Sequence, residues 1–345
     1  MSSHFDPAGA PLPDAGLFGL PCTADEAKLV IVPVPWDATT SYRAGTHAGP
    51  EAIRLASHQL DLFDIEVGEP WRAGITLLPV NKAIAALNSS ARADAEKVIA
   101  VGGVIGDDPA LHAALARVNT ASAQLNDLVF KEVDAQLARG KLVGLIGGDH
   151  SSPYGALKRL ADAHAEFGIL HIDAHADLRV AYEGFAWSHA SIMHNVVRDL
   201  PQVTKLVQVG IRDLSRAEHD AITGSAGRIV THFDAHLQAK KQEGATWGSL
   251  ANEIVDGLPK NVYISFDIDG LEPMFCPNTG TPVPGGLHFT EACTLLRKVV
   301  ERGHTIIGFD LNEVAPGGDG SEWDANVGAR LLYKLCGWLV KSSEA

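Results

Sequence analysis

Short apolar runs rich in β-branched residues recur along the chain: LVIVPVP (29–35), LVGLIGG (142–148), FGILHID (167–173), LVQVGI (206–211), RIVTHF (228–233), VYISFDID (262–269) and TIIGFDL (305–311). Most lack the apolar/polar alternation of a half-solvated strand, as expected of strands covered on both faces. Helical periodicity falls between several of them, over 121–139, 152–164, 189–199, 236–257 and 289–303, with a last helix near 321–341. Strand and helix in repetition predict an α/β fold, a three-layer α/β/α sandwich around a central, mainly parallel sheet. Residues 1–28 show no clear period and read as an N-terminal arm, leaving 29–345 as one domain. Residues 66–120 break the rhythm with helix-forming residues around a glycine-rich break at 102–106. They read as a helical insertion, either an extra layer or oligomer contact, or a lid or rim that shapes an active-site mouth.

Charge narrows the function. Acids exceed bases by 42 to 28, a formal charge of −14. Such a field disfavours a nucleic-acid backbone or an anionic membrane surface and favours a cationic substrate. No apolar segment is long enough to span a bilayer, and the first residues carry neither a basic region nor an apolar signal core. The four cysteines are scattered without a CxxC pair, so a disulfide framework or thiolate zinc site is not expected and a reducing cytoplasm is the default.

Four segments place acids and histidines at predicted strand ends: GGDHSS (147–152), HIDAHADLR (171–179), SFDIDGLEP (265–273) and GFDLNEVAP (308–316). In open α/β sheets ligands bind outside the carboxyl ends of strands. Asp173, His175 and Asp177 are two apart, so in extended backbone their side chains project to one side, and Asp267 and Asp269 do the same. Converging carboxylates with no lysine or arginine cluster beside them would repel. Divalent cations resolve this, since carboxylate and imidazole suit Mn²⁺ and similar metals. With this many carboxylates, two ions sharing ligands fit better than one, and two-metal sites activate a water between them.

The GGDH, DAHxD and DID segments, in this order, resemble the ureohydrolases: arginase, agmatinase and relatives that hydrolyse guanidino groups with two manganese ions. The resemblance covers roughly 29–340 and implies an arginase-like fold. Carried over by position, it implies that His150, Asp173, Asp177 and Asp267 bind one ion, and His175, Asp173, Asp267 and Asp269 the other. It further implies that Glu291, in PNTGTPVPGGLHFTEA (277–292), holds the substrate guanidinium, that Thr279 to Pro282 line the pocket, and that His189 handles the leaving-group proton. Asp149 reads as support for the ligand loop, and Asp310, Asn312 and Glu313 as scaffolding of the turns. Arg43 and His47 read equally as substrate contacts or turn residues. The resemblance also implies a homo-oligomer, trimer or hexamer, with a hetero-oligomer of related subunits as the variant.

Arginases carry a polar run after DAHxD that grips the amino acid's carboxylate and amine. Here LRVAYEGFAWS (178–188) offers Tyr182, Phe185 and Trp187, and only Arg179 for a carboxylate. The stretch fits a substrate whose remainder is cationic or apolar, through cation–π contact or burial. Glu183 is placed to meet a distal ammonium, as in agmatine. Guanidine, alkylated guanidines and biguanides fit the same aromatic description, and some family members for such substrates prefer Ni²⁺. A catalytically silent partner subunit would be expected to have lost metal ligands. A two-metal phosphoesterase would bring basic residues toward phosphate. Neither pattern is seen.

Overall fold

The fold is that of a computed structural model, which describes residues 5–11, 15–318 and 320–344. One sheet of eight strands carries it: β1 (Leu29–Val34), β2 (Ile75–Leu77), β3 (Leu142–Gly147), β4 (Phe167–Ile172), β5 (Val203–Val209), β6 (Ile229–His232), β7 (Asn261–Asp267) and β8 (Thr305–Asn312). The order is β2-β1-β3-β8-β7-β4-β5-β6, every pair parallel. All eight carboxyl ends therefore lie along one edge, with β3, β8, β7 and β4 at its centre.

Among the described residues, ten α-helices cover the two faces: α1 (Gly49–Ala56), α2 (Lys82–Ile99), α3 (Pro109–Leu137), α4 (Tyr154–Ala163), α5 (Ile192–Asp199), α6 (Arg216–Gly224), α7 (Asp234–Gln242), α8 (Trp247–Val255), α9 (Phe289–Glu301) and α10 (Trp323–Ser342). The apolar side chains of α1 and α7–α10 share one core, including Ile53, Leu237, Ile254, Leu295 and Leu335. Those of α2–α6 form the opposite layer, with Ile84, Leu125, Leu157, Val196 and Ile222. No helix among the described residues is long and apolar enough to cross a membrane.

The differences from the sequence reading have local causes. The helix expected over 236–257 is two, because Gly244 ends α7 at φ 101° and Thr246 starts α8 by accepting Ser249 N–H at 3.2 Å. Helix α6 was not expected; the Ser215/Glu218 capping box starts it. The insertion is a hairpin, α2 and α3, with α3 beginning at Pro109 behind the Asp108 cap, well before the expected 121. Residues 1–4 and 12–14 of the expected arm lie outside the described residues. Part of the remainder joins the main core: Leu17, Phe18 and Leu20 are buried, and Phe18 sits edge-on to Tyr333 at 4.8 Å.

Candidate metal centre and cleft

The glycine pair before Asp149 brings the first ligand loop against its neighbours. A Cβ at Gly148 would stand 2.0 Å from the Trp36 carbonyl oxygen, and one at Gly147 would stand 1.8 Å from Asn312 Oδ1. With no side chain in the way, Asp149 N–H donates to Trp36 O at 2.7 Å, and Glu313 N–H donates to Gly148 O at 2.7 Å. Asp149 itself caps this turn: one oxygen accepts Ser151 N–H at 3.0 Å and the other accepts Thr39 Oγ–H at 3.3 Å.

The turn aims His150 at three carboxylates. Its Nδ1 lies 3.0 Å from Asp173, 3.2 Å from Asp267 and 3.5 Å from Asp177. The other ring nitrogen is 2.8 Å from Ser265 Oγ, which donates onward to Asp310 at 3.1 Å. That chain requires a proton on Nε2 and makes Nδ1 the nitrogen that faces the acids, available to a cation once its own proton leaves. A second group forms beside it, with His175 Nδ1 3.1 Å from Asp269 and 3.5 Å from Asp173. Asp173 faces both histidines. Asp267, beside His150, also accepts Asp269 N–H at 2.8 Å.

His171 completes the constellation from behind. Gln208 donates to its Nδ1 at 3.0 Å, so Nε2 carries the proton and donates to Asp173 at 2.9 Å. Its buried side chain orients the carboxylate that faces both histidines. The sequence placed His171 in the same short motif but gave it no task; the HxD spacing on a strand was the available signal, since it turns both side chains to one face.

The donor set fits divalent cations. The six residues expected as ligands supply four carboxylates and two imidazoles, all but His175 buried. The nearby guanidinium of Arg212 does not neutralise them: it donates instead to the carbonyls of Asp269, Leu271, Val283 and Gly210. Without a cation, burial and mutual repulsion raise the Asp177 and Asp267 carboxyls, and neighbouring acids hold His150 well above its usual value and His175 up to about 12. Each of these shifts makes the folded state take up protons, so stability present at lower pH is lost as pH rises toward the folded values. Asp173 is shifted the other way and offsets only part of this. Metal-free protein is accordingly expected to melt at a lower temperature at pH 8.5 than at pH 6, and Mn²⁺ to restore the loss with release of protons. Scanning calorimetry with and without chelator checks this, and an unchanged melting temperature on chelation would remove the metal centre.

Above the cluster opens a cleft of about 450 Å³. His175, Asp177 and His189 line its inner part, and Tyr42, Arg43, Arg179, Tyr182, Asp213, Glu218 and Thr281–Val283 its walls. Burial, with the charge of His175 next, lowers His189 to about 4, so its imidazole is neutral at physiological pH. Arg43 reaches the cleft with φ 49° and donates to Pro277 O at 3.0 Å, whereas His47 pairs with Asp37 at 2.6 Å and serves the turn.

Four residues expected at the substrate stand elsewhere. Glu291 is the third residue of α9: its carboxylate accepts His288 N–H at 3.1 Å in a capping box and pairs with Lys241. The signal was present in HFTE, a cap-and-acid spacing just before an apolar helix. Thr279 is fully buried and donates to Glu313 O at 2.8 Å, leaving Thr281 and Pro282 to line the wall. Trp187 packs edge-on to Tyr154 at 4.7 Å in the α4–α5 core. Glu183 lies beneath the α2–α3 turn, where a Cβ on Gly103 would be 2.6 Å from its Cα.

Glu313 moves the opposite way. Of the three acids and amides read as scaffolding, Asp310 and Asn312 do bond to each other, at 2.5 Å. Glu313 instead adopts φ 62°, in the left-handed region where non-glycine residues are uncommon, and is held there through its own N–H, its carbonyl and one carboxylate oxygen, which accepts His150 N–H at 2.9 Å. The bond to His150 N–H sets its carboxyl beside the candidate metal cluster, where burial and the charges of Asp267, Asp149 and Asp269 push it well up.

The sequence matches the model of the arginase family over residues 27–337. The chain belongs to the arginase family. It is an enzyme of the ureohydrolase class, acting on guanidino C–N bonds. Among its relatives, N(1)-aminopropylagmatine ureohydrolase of Thermus thermophilus is 33% identical over 315 residues, 91% of this chain and 90% of that protein. Agmatinase of Proteus mirabilis is 31% identical, with 90% and 87% covered. A hypothetical agmatinase from Burkholderia thailandensis shares the arginase-family fold with a TM-score of 0.72 at 23% identity, over 98% of this chain and 94% of its own.

Proposed function

We propose that this arginase-family enzyme is agmatinase-like, releasing urea or a substituted urea and an amine from a small cationic guanidino compound. The observation that carries the reading is the pair of buried carboxylate–imidazole groups sharing Asp173 at the base of a single cleft. His150, Asp173, Asp177 and Asp267 would hold one ion, and His175, Asp173, Asp267 and Asp269 the other, with Mn²⁺ first and Ni²⁺ as the alternative. When bound, such ions supply a nucleophile near neutral pH and offset the buried negative charge.

The chain's own residues do the rest. Glu313, rather than Glu291, faces the planar cation: one oxygen is anchored on His150 and the other looks toward Gly280 on the wall segment. A charge-assisted bond from a guanidinium orients the carbon for attack. His189, held neutral, accepts a proton within the cleft and passes it to the departing nitrogen. At the mouth, Glu218 is committed to Ser215 and to Leu178 N–H, at 2.8 and 3.1 Å, so the exposed Asp213 takes the distal-ammonium role expected of Glu183. Tyr182, edge-on to His189 at 6.2 Å, provides the aromatic face. If the mouth is too closed for a long chain, the same site takes guanidine or alkylated guanidines. Assembly as a homo-oligomer and a cytoplasmic setting belong to this reading; the four free cysteines are compatible with the latter.

The test is urea and amine release from agmatine, arginine, guanidinobutyrate, guanidine and dimethylbiguanide by metal-free protein reloaded with Mn²⁺ or Ni²⁺. Agmatine is expected to turn over fastest. Turnover only of the small or methylated compounds would move the substrate to the alternative, and silence on all five with metal bound would overturn the reading. Light scattering on the same samples reports the assembly.

A further inference from the structure

Two loops line the cleft, and neither is helix or part of the sheet where it meets that space: residues 37–43, through Tyr42 and Arg43, and residues 179–186, through Arg179 and Tyr182. Something must fix their separation. The helical hairpin α2–α3 touches both loops while lining neither the metal cluster nor the cleft.

On the first wall, Asn88 of α2 exchanges two hydrogen bonds with Asp37, accepting its N–H at 2.9 Å and donating to its carboxylate at 3.1 Å. One turn on, Arg92 donates to Thr40 O at 2.5 Å. On the second wall, Asn119 of α3 makes a two-point contact with the turn after Tyr182. Its amide N–H donates to Gly184 O at 3.2 Å, and its oxygen accepts Ala186 N–H at 2.9 Å. Between them Phe185 is fully buried against Ala95, Val98, Ala114 and Val118, from both helices of the hairpin. Glu183 and Gly184 carry φ values of 51° and 86° in a turn closed by two backbone bonds between Tyr182 and Phe185, at 3.2 and 2.9 Å, so the contacts from Asn119 and around Phe185 seat a preformed turn on the hairpin. The two helices are joined to each other by shared apolar contacts and by the Asp94–Arg117 pair at 2.6 Å.

We propose that the α2–α3 hairpin sets the separation of the two cleft walls and so selects substrates by what extends beyond the guanidino group, with Asn119 and Arg92 as positioning residues. This rests on the reading of the cleft as a guanidino-hydrolase site. A short substrate such as guanidine ends at the metal cluster and does not reach the walls. A chain carrying a distal ammonium must pass between Tyr42 and Tyr182. Loosening either anchor therefore acts on long substrates and leaves short ones alone.

Asn119→Ala is expected to lower kcat/KM for agmatine at least about fivefold through KM, with kcat/KM for guanidine, metal content and melting temperature close to the parent. Asn119→Asp, which keeps the acceptor for Ala186 N–H, should recover part of the loss. Arg92→Gln should repeat the selectivity shift from the other wall. An equal loss on both substrates, or no change on either, would overturn the proposal. A second readout needs no turnover: deuterium exchange of the 180–186 amides should quicken about tenfold in Asn119→Ala while peptides of β7 stay unchanged. Unaltered protection there would overturn the brace whatever the substrate proves to be. Failure of the parent enzyme to cleave any guanidino compound would instead remove the underlying reading, a result visible before any variant is made.

Discussion

Glu313→Gln is expected to lower kcat/KM by on the order of a hundredfold or more while leaving both metal ions bound. The amide oxygen can still accept His150 N–H, so the ligand loop stays in place. What disappears is a buried carboxylate beside the candidate ligands, which bound cations would hold ionised. Breaking a buried, hydrogen-bonded charge pair costs about 2–5 kcal/mol, and each 1.36 kcal/mol is a factor of ten. The control is Glu291→Gln. That residue sits in a capping box and a partly exposed ion pair, so the change should cost about 1 kcal/mol of stability and leave turnover within about twofold. Steady-state kinetics with metal analysis separates the two. If Glu291→Gln is the crippled variant and Glu313→Gln is not, the assignment made from position in the sequence stands and the geometric one falls.

Asp269→Asn is expected to lose one ion per chain and nearly all turnover with the fold intact. Its carboxylate faces His175 Nδ1 on one side and accepts Ala174 N–H at 3.0 Å on the other, so an amide can keep the second contact but not the charge. Changing groups that merely support metal ligands already costs about 10–100-fold, and loss of a ligand should exceed that. Because the hydrogen bond to the backbone survives, the metal-free variant should still unfold in one cooperative transition, below the metal-free parent only by the lost His175–Asp269 pair. Full activity with one ion bound would sink the two-ion mechanism. Asp177→Ala, on the His150 side, is expected to lose the other ion.

The sheet was legible because a buried parallel strand must be apolar without alternation, and seven of the eight strands are long enough to show it. Strand β2, with three residues, is too short for any period to appear. The clustering of the six candidate ligands was legible because five of them fall at two-residue spacing, which turns them to one side, and all six lie at the carboxyl ends of strands. The remainder of the cleft was not, for a physical reason. Glu291 and Glu313 both lie near the carboxyl edge in sequence terms, and only backbone geometry separates them: one begins a helix and spends its carboxylate on the cap, the other is forced to positive φ and turns inward. The same holds for Glu183, Trp187 and Thr279. Each sits in a segment that passes the cleft, and each is turned away by a neighbour far off in sequence, such as Gly103 or Tyr154. A single chain carries no local mark of such partners.

The six candidate ligands and Glu313 come from the ends of β3, β4, β7 and β8, so the cluster joins segments from residue 150 to residue 313. These are the four central strands, and β8 is inserted between β3 and β7 only after almost the whole chain is available. An ion there cannot be held by any fragment ending before β8 with its full set of neighbours in place. Metal affinity in this protein is therefore a measure of global closure rather than of local order. Bound ions should slow the exchange of amides in all four strands by one common factor, set by RT ln(1 + [L]/Kd), while leaving the exchange of fraying helix ends untouched.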